Sequence, residues 1–397
     1  MALPRGRELV DFLKENREAP LAIIIGVITS LVISAFIWTT EMVGSRLYTS
    51  QSAAWMRLLF PAVGALLSGL LLYRFFPDAR GSGIPQTKAA LFGRRGISLR
   101  TTFGKFFCCS VSLGSGISLG REGPSVQIGA GIASQAGLRL GLSEEETSAL
   151  MPMGTAAALA AAFNTPIAGI IFTLEEILGN MHTRILGGVV LASASSWLVL
   201  HLLLGDQPLF RVPQYRLVHP GELIVYVLLG LAGGLLAALF QWSLLNLRER
   251  FLKLPRSTVA WQPLAGGLFV GMVAMGIPEL LGVGYGAVDR ALNGQMLWQT
   301  MLLLLLLKLP GTVVSYASGN PGGIFGPSLF LGAMLGGSIG SLAHGLFPEW
   351  TGSPGAYALV GMGTAFAGII RTPMTSVLMI FELTRDYAII VPLMISN

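Results

Sequence analysis

Charge is scarce in this chain: only 12% of its 397 residues are Asp, Glu, Lys or Arg. A soluble domain carries about 25%, so most of the polypeptide does not face water. Cysteine is nearly absent as well. Cys108 and Cys109, the two present, are adjacent, which suits neither an ordinary disulfide nor a CxxC metal clip. The four histidines (His182, His201, His219, His344) are scattered without an HxxxH pair, so no metal and no cofactor are expected. No GxSG occurs, and the five aspartates (Asp11, Asp78, Asp206, Asp289, Asp386) avoid the long uncharged runs. These absences argue against an intramembrane protease and against an enzyme. The first residues are charged through Glu18 and hold no small-residue cleavage site, so they are not a signal peptide.

What remains is a polytopic membrane protein. Residues 21–40, 185–204, 223–247, 257–278 and 326–348 contain no Asp, Glu, Lys or Arg, nor does 149–174, while 53–73 carries only Arg57. Each is long enough to be a span. The runs 124–138, 297–307, 374–381 and 387–397 are too short or too interrupted for a plain crossing, so tilted and half-spanning helices are expected. Basic residues cluster in 1–19 (Arg5, Arg7, Lys14, Arg17), in 74–100 (Arg74, Arg80, Lys88, Arg94, Arg95, Arg100) and in 246–258 (Arg248, Arg250, Lys253, Arg256). By the positive-inside rule these segments are cytoplasmic. The net charge of +6 therefore reports topology, and no nucleic-acid partner is expected. Residues 1–19 read as an amphipathic cytoplasmic helix with Leu9, Phe12 and Leu13 on one face.

Glycine is the surplus: 51 residues, roughly twice ordinary usage. It falls in a repeat. Gly120–Ala130 (GREGPSVQIGA) and Gly323–Ala333 (GIFGPSLFLGA) share G-x-x-G-P-S-x-x-x-G-A. Met153–Ala156 recurs at Met362–Ala365, Thr165-Pro166 at Thr372-Pro373, Gly81-Ser82-Gly83 at Gly282-Val283-Gly284, and Lys105 at Lys308. The order is the same throughout, with offsets of 201 to 209. This divides the chain into a first half, 20–204, an external linker, 205–220, and a second half, 221–397. Paired halves with Gly/Pro breaks at matching places mark secondary transporters. A helix interrupted at membrane depth survives only where its free amides are buried in protein or face a cavity, and helix N-termini attract anions.

Ionisable residues at that depth are functional candidates. Glu122 lies between two glycine breaks, and Glu175 and Glu176 end the run 149–174. Glu382 is the repeat mate of Glu175, whereas Leu383 stands opposite Glu176. Carboxylates shared by both halves suit a scaffold; one present in a single half suits chemistry. Lys105 and Lys308 are expected to snorkel or to pair with carboxylates. Ser82 by itself reads more often as a turn residue than as an ion ligand, and Phe325 by default as a packing aromatic.

Gly81-Ser82-Gly83-Ile84-Pro85, Gly120-Arg121-Glu122-Gly123-Pro124 and Gly322-Gly323-Ile324-Phe325-Gly326-Pro327 resemble, in order, the three anion-site signatures of the CLC chloride channels and transporters. The resemblance runs from about residue 20 to 397 and includes Asn164-Thr165-Pro166 followed by Glu175-Glu176. It implies an all-α polytopic fold of two inverted halves with roughly eighteen tilted or half-spanning helices. It also implies a homodimer with one pore per subunit, in a lipid bilayer that by this branch is a bacterial inner membrane. Chloride would be held by the Ser82 hydroxyl and the amides of Ile324 and Phe325, with an outer site that includes the Gly123 amide. Glu122 would be the external gate and proton relay, and Glu176 the internal proton-transfer residue. The family's last helix carries a tyrosine that completes the central site. Tyr387 sits too close to Glu382 for that role, so either such a helix lies beyond Asn397 or the central site is more open.

Glu176 favours exchange of chloride for protons, at about two chlorides per proton by the family's pattern for such secondary transporters. A passive chloride-selective channel on the same fold is the alternative. A cation/proton antiporter would want carboxylates in both unwound stretches, but Phe325 is the counterpart of Glu122.

Overall fold

Each uncharged run lies mainly in helix in the computed structural model, which describes residues 18–48, 53–181, 184–205, 210 and 217–397. Nearly all of the expected N-terminal helix 1–19 and most of the linker 205–220 lie outside the described residues. Helix is what the medium demands, since it satisfies backbone groups within one segment where no water can.

Eight helices build the first half: α1 (Glu18–Leu47), α2 (Ala54–Arg74), α3 (Ile84–Phe92), α4 (Leu99–Gly114), α5 (Glu122–Arg139), α6 (Glu144–Phe163), α7 (Pro166–Phe172) and α8 (Leu186–Leu204). A π-helical segment, Thr173–Leu178, continues α7. Eight more follow: α9 (Glu222–Leu252), α10 (Gln262–Ala274), α11 (Tyr285–Leu292), α12 (Trp298–Ala317), α13 (Phe325–Leu346), α14 (Pro354–Ile370), α15 (Pro373–Thr384) and α16 (Ile390–Ser396). The described residues thus hold sixteen α-helices, close to the expected number, in two sets of eight. Six are long and apolar enough to cross a bilayer: α1, α2, α8, α9, α12 and α13.

Three expected lengths change. The run 149–174 is broken at Asn164, whose backbone is left-handed, into α6 and α7. The run 257–278 yields only the 13-residue α10, because Gly276 and Pro278 end it early. Conversely, 297–307 is not cut short by Lys308 or Pro310: α12 continues through both to Ala317. The reason is the lysine's partners. Fully buried, Lys308 donates from Nζ to the carbonyls of Leu280 (3.0 Å) and Gly282 (2.6 Å). Its mate Lys105 donates to those of Ala79 (3.0 Å) and Gly81 (2.6 Å). Neither snorkels and neither meets a carboxylate. Each ammonium instead ties down the glycine loop that opens α3 or α11, the position where the sequence pattern repeats.

The glycine surplus has a second use that the breaks alone do not reveal. A methyl added at Gly129 would lie 2.2 Å from the Gly154 carbonyl, and one at Gly332 would lie 2.1 Å from that of Gly361. These are equivalent contacts, α5 on α6 and α13 on α14. Small residues let backbones meet in lipid, where no hydrophobic force drives helices together. Break and contact glycines together let the N-termini of α5 and α13 approach each other closely.

Candidate functional site

The two signature loops meet there. Gly120 N–H donates to the Gly323 carbonyl and Gly323 N–H to that of Gly120, both at 2.7 Å. This reciprocal pair joins equivalent residues of the halves, so the pseudo-two-fold relation passes through it. The GSG loop closes on the same point. A methyl at Gly123 would sit 2.7 Å from the Ser82 carbonyl and 3.3 Å from Gly323 Cα. Gly83, with φ of +108°, has the left-handed backbone that glycine adopts without strain. Ser82, Gly123, Ile324 and Phe325 are therefore brought together by contacts between their loops. All but Ile324 are buried. Gly123 and Phe325 lie in the first turns of α5 and α13, where amides have no intrahelical acceptor. Phe325 also packs, its ring edge-on to Phe172 and Phe366 with centroids 5.1 and 5.0 Å away.

Glu122 occupies what the amides offer. It is fully buried, and its Oε2 accepts from Gly326 N–H across the two-fold at 3.3 Å. Its Oε1 accepts from the Tyr285 hydroxyl at 2.5 Å. A carboxylate held by helix-start donors stands where an anion would be favoured. Beside it, Arg121 is anchored on Glu41 at 2.6 Å, and its guanidinium lies 5.7 Å from the centre of the Tyr285 ring.

The other carboxylates divide as their repeat relation suggested. Glu382 accepts from the amides of Ile167 (2.9 Å) and Ala168 (2.6 Å) at the start of α7. Glu175 accepts from those of Met374 (3.2 Å) and Thr375 (2.8 Å) at the start of α15. Each half thus caps the other's helix. Glu176 lies outside this exchange: its Oε1 pairs with Lys88 of α3 at 2.9 Å, with 23% of its side chain accessible. One consequence is a contrast in stability. Replacing Glu382 or Glu175 by Ala should cost about 1–3 kcal/mol, the worth of hydrogen bonds to a charged group. Replacing Glu176 should cost about 1 kcal/mol or less, as for other accessible ion pairs. Denaturation midpoints of the three purified variants in detergent check this, and equal losses would refute the division.

Tyr285 and Lys88 were missed in the sequence. A signal for the first was available: Tyr285 is the repeat mate of Ile84, which directly follows the GSG signature. Lys88 shows no local sign of its partner, since 88 residues separate it from Glu176.

The family and the fold have known relatives. The family model described as voltage gated chloride channel matches residues 64–397. The chain is 33% identical over 368 residues to a Vibrio cholerae protein named H(+)/Cl(-) exchange transporter ClcA, covering 91% of this chain and 78% of that one. It is also 33% identical over 353 residues to the Cronobacter sakazakii protein of the same name, covering 86% and 74%. Among solved structures, it resembles a slow cyanobacterial Cl-/H+ antiporter with a TM-score of 0.88 and 27% identity, covering 96% of this chain and 92% of that one.

Proposed function

This chain belongs to the voltage gated chloride channel family, and on that premise we propose that it exchanges chloride for protons across the membrane it spans. The observation that carries the reading is the Glu122 carboxylate seated among the helix starts of α5, α11 and α13. In its ionised form the side chain stands in for an anion at the outer position. On protonation it loses the charge that strengthens those hydrogen bonds, moves aside, and leaves the amides to chloride. The central anion is held by the Ser82 hydroxyl and the amides of Ile324 and Phe325, with the Gly123 amide serving the outer position. Glu176, on the Lys88 side, passes the proton between the cytoplasm and the gate.

Resemblance to the exchanging members of the family supports a ratio near two chlorides per proton. The same reading places a homodimer with independent pores in a bacterial inner membrane, with the N-terminus cytoplasmic as the basic segments favour. The membrane unit is organised as the halves 20–204 and 221–397 about the external linker 205–220. The test is a chloride gradient imposed on liposomes containing the purified protein. Proton uptake against its own gradient is expected. A reversal potential fixed at the chloride value, whatever the pH gradient, would instead identify a passive channel.

A further inference from the structure

The two-fold relation makes Tyr285 conspicuous. The inner counterpart of Glu122 is Phe325, and that of Tyr285 is Ile84. Both Phe325 and Ile84 are buried in one apolar cluster. The scaffold therefore forms with apolar residues at both positions, whereas on the outer side both positions are polar and bond to each other. The tyrosine is also held in place. Phe210, from the linker, meets its ring edge-on at 5.7 Å, and Arg121 stands by the same ring, itself anchored on Glu41. The hydroxyl of a ring so constrained has little freedom to follow a departing carboxylate.

We propose that Tyr285 is the latch of the Glu122 gate: its hydroxyl holds the carboxylate over the outer anion position, and that one bond governs how readily chloride displaces it. Tyr285 is a positioning residue in this account, and the inference rests on the exchange reading above. A ligand whose position is occupied by a competing group binds more weakly by the fraction of time the position is free. Removing the hydroxyl raises that fraction.

The experiment is a double-mutant cycle read by calorimetric chloride binding to the purified protein in detergent. Tyr285→Phe keeps the ring and its contacts and deletes only the donor. In the wild-type background it should tighten chloride binding roughly 10- to 100-fold, the scale of one lost bond to a charged acceptor. In a Glu122→Ala background the same change should have no effect, because no side-chain acceptor remains to be held. Chloride efflux from liposomes supplies a second reading: Tyr285→Phe should speed it in the first background and not in the second. Weaker binding in both backgrounds would overturn the latch and make the hydroxyl a chloride ligand. No change in either would overturn it in favour of a packing role. Failure of the wild type to take up protons would overturn the exchange reading while leaving this binding comparison intact.

Discussion

Glu176→Ala should abolish chloride-driven proton uptake and leave chloride flux running. The expected loss of proton movement is on the order of 100-fold or more, the scale on which a positioned proton-transfer side chain contributes. Two features of the site separate this effect from misfolding. The carboxylate has no counterpart in the second half, where Leu383 stands, so the architecture does not require it. Its partner Lys88 has 36% of its side chain accessible, and an ammonium returned to water leaves no buried charge uncompensated. The fold should therefore survive, with a denaturation midpoint near that of the wild type. Parallel recordings of chloride efflux and external pH from one liposome preparation provide the check. Proton pumping that persists in the variant would remove Glu176 from the pathway.

Glu122→Gln should uncouple the two ions from the other side. The amide side chain has the carboxylate's shape without its charge, as the protonated acid does. It cannot release and retake a proton, so proton uptake should fall by a factor similar to that for Glu176→Ala. Chloride flux should continue and lose its dependence on pH, because the group that titrates in the anion position has gone. Chloride should also bind more tightly. The displaced competitor is now neutral, and its bonds to Gly326 N–H and the Tyr285 hydroxyl lose the contribution of charge, so a gain of about tenfold per 1.4 kcal/mol is expected. Efflux rates across acidic to neutral pH, with chloride calorimetry beside them, decide the matter. A variant that still pumps protons, or whose flux keeps the wild-type pH profile, would show that another group is the gate.

Hydropathy, charge asymmetry and repetition already determine a great deal here. Uncharged runs are stable in lipid as helices, and Gly/Pro breaks recur at fixed offsets, so spans and the two halves are readable, while the basic segments supply the expected direction. The resemblance of the break motifs to the CLC anion-site signatures points to Ser82, Gly123, Ile324 and Phe325. Scarcity of charge isolates Glu122 and Glu176. All these signals are local: each resides in a few consecutive residues or in the comparison of two such segments.

Tertiary structure decided which partner each group found. Lys105 and Lys308 read as lysines that should reach water or a carboxylate, yet they grip carbonyls 24 to 28 residues away. Glu175 and Glu382 read as scaffold carboxylates from their repeat relation, but only the fold shows that each caps a helix of the opposite half. Tyr285 is not singled out by its neighbours in the chain, and it lies on a carboxylate 163 positions earlier. The physical reason is the same in every case. A buried polar group must find a partner, and in an inverted repeat that partner is supplied by whichever segment the two-fold brings near, which no local pattern records.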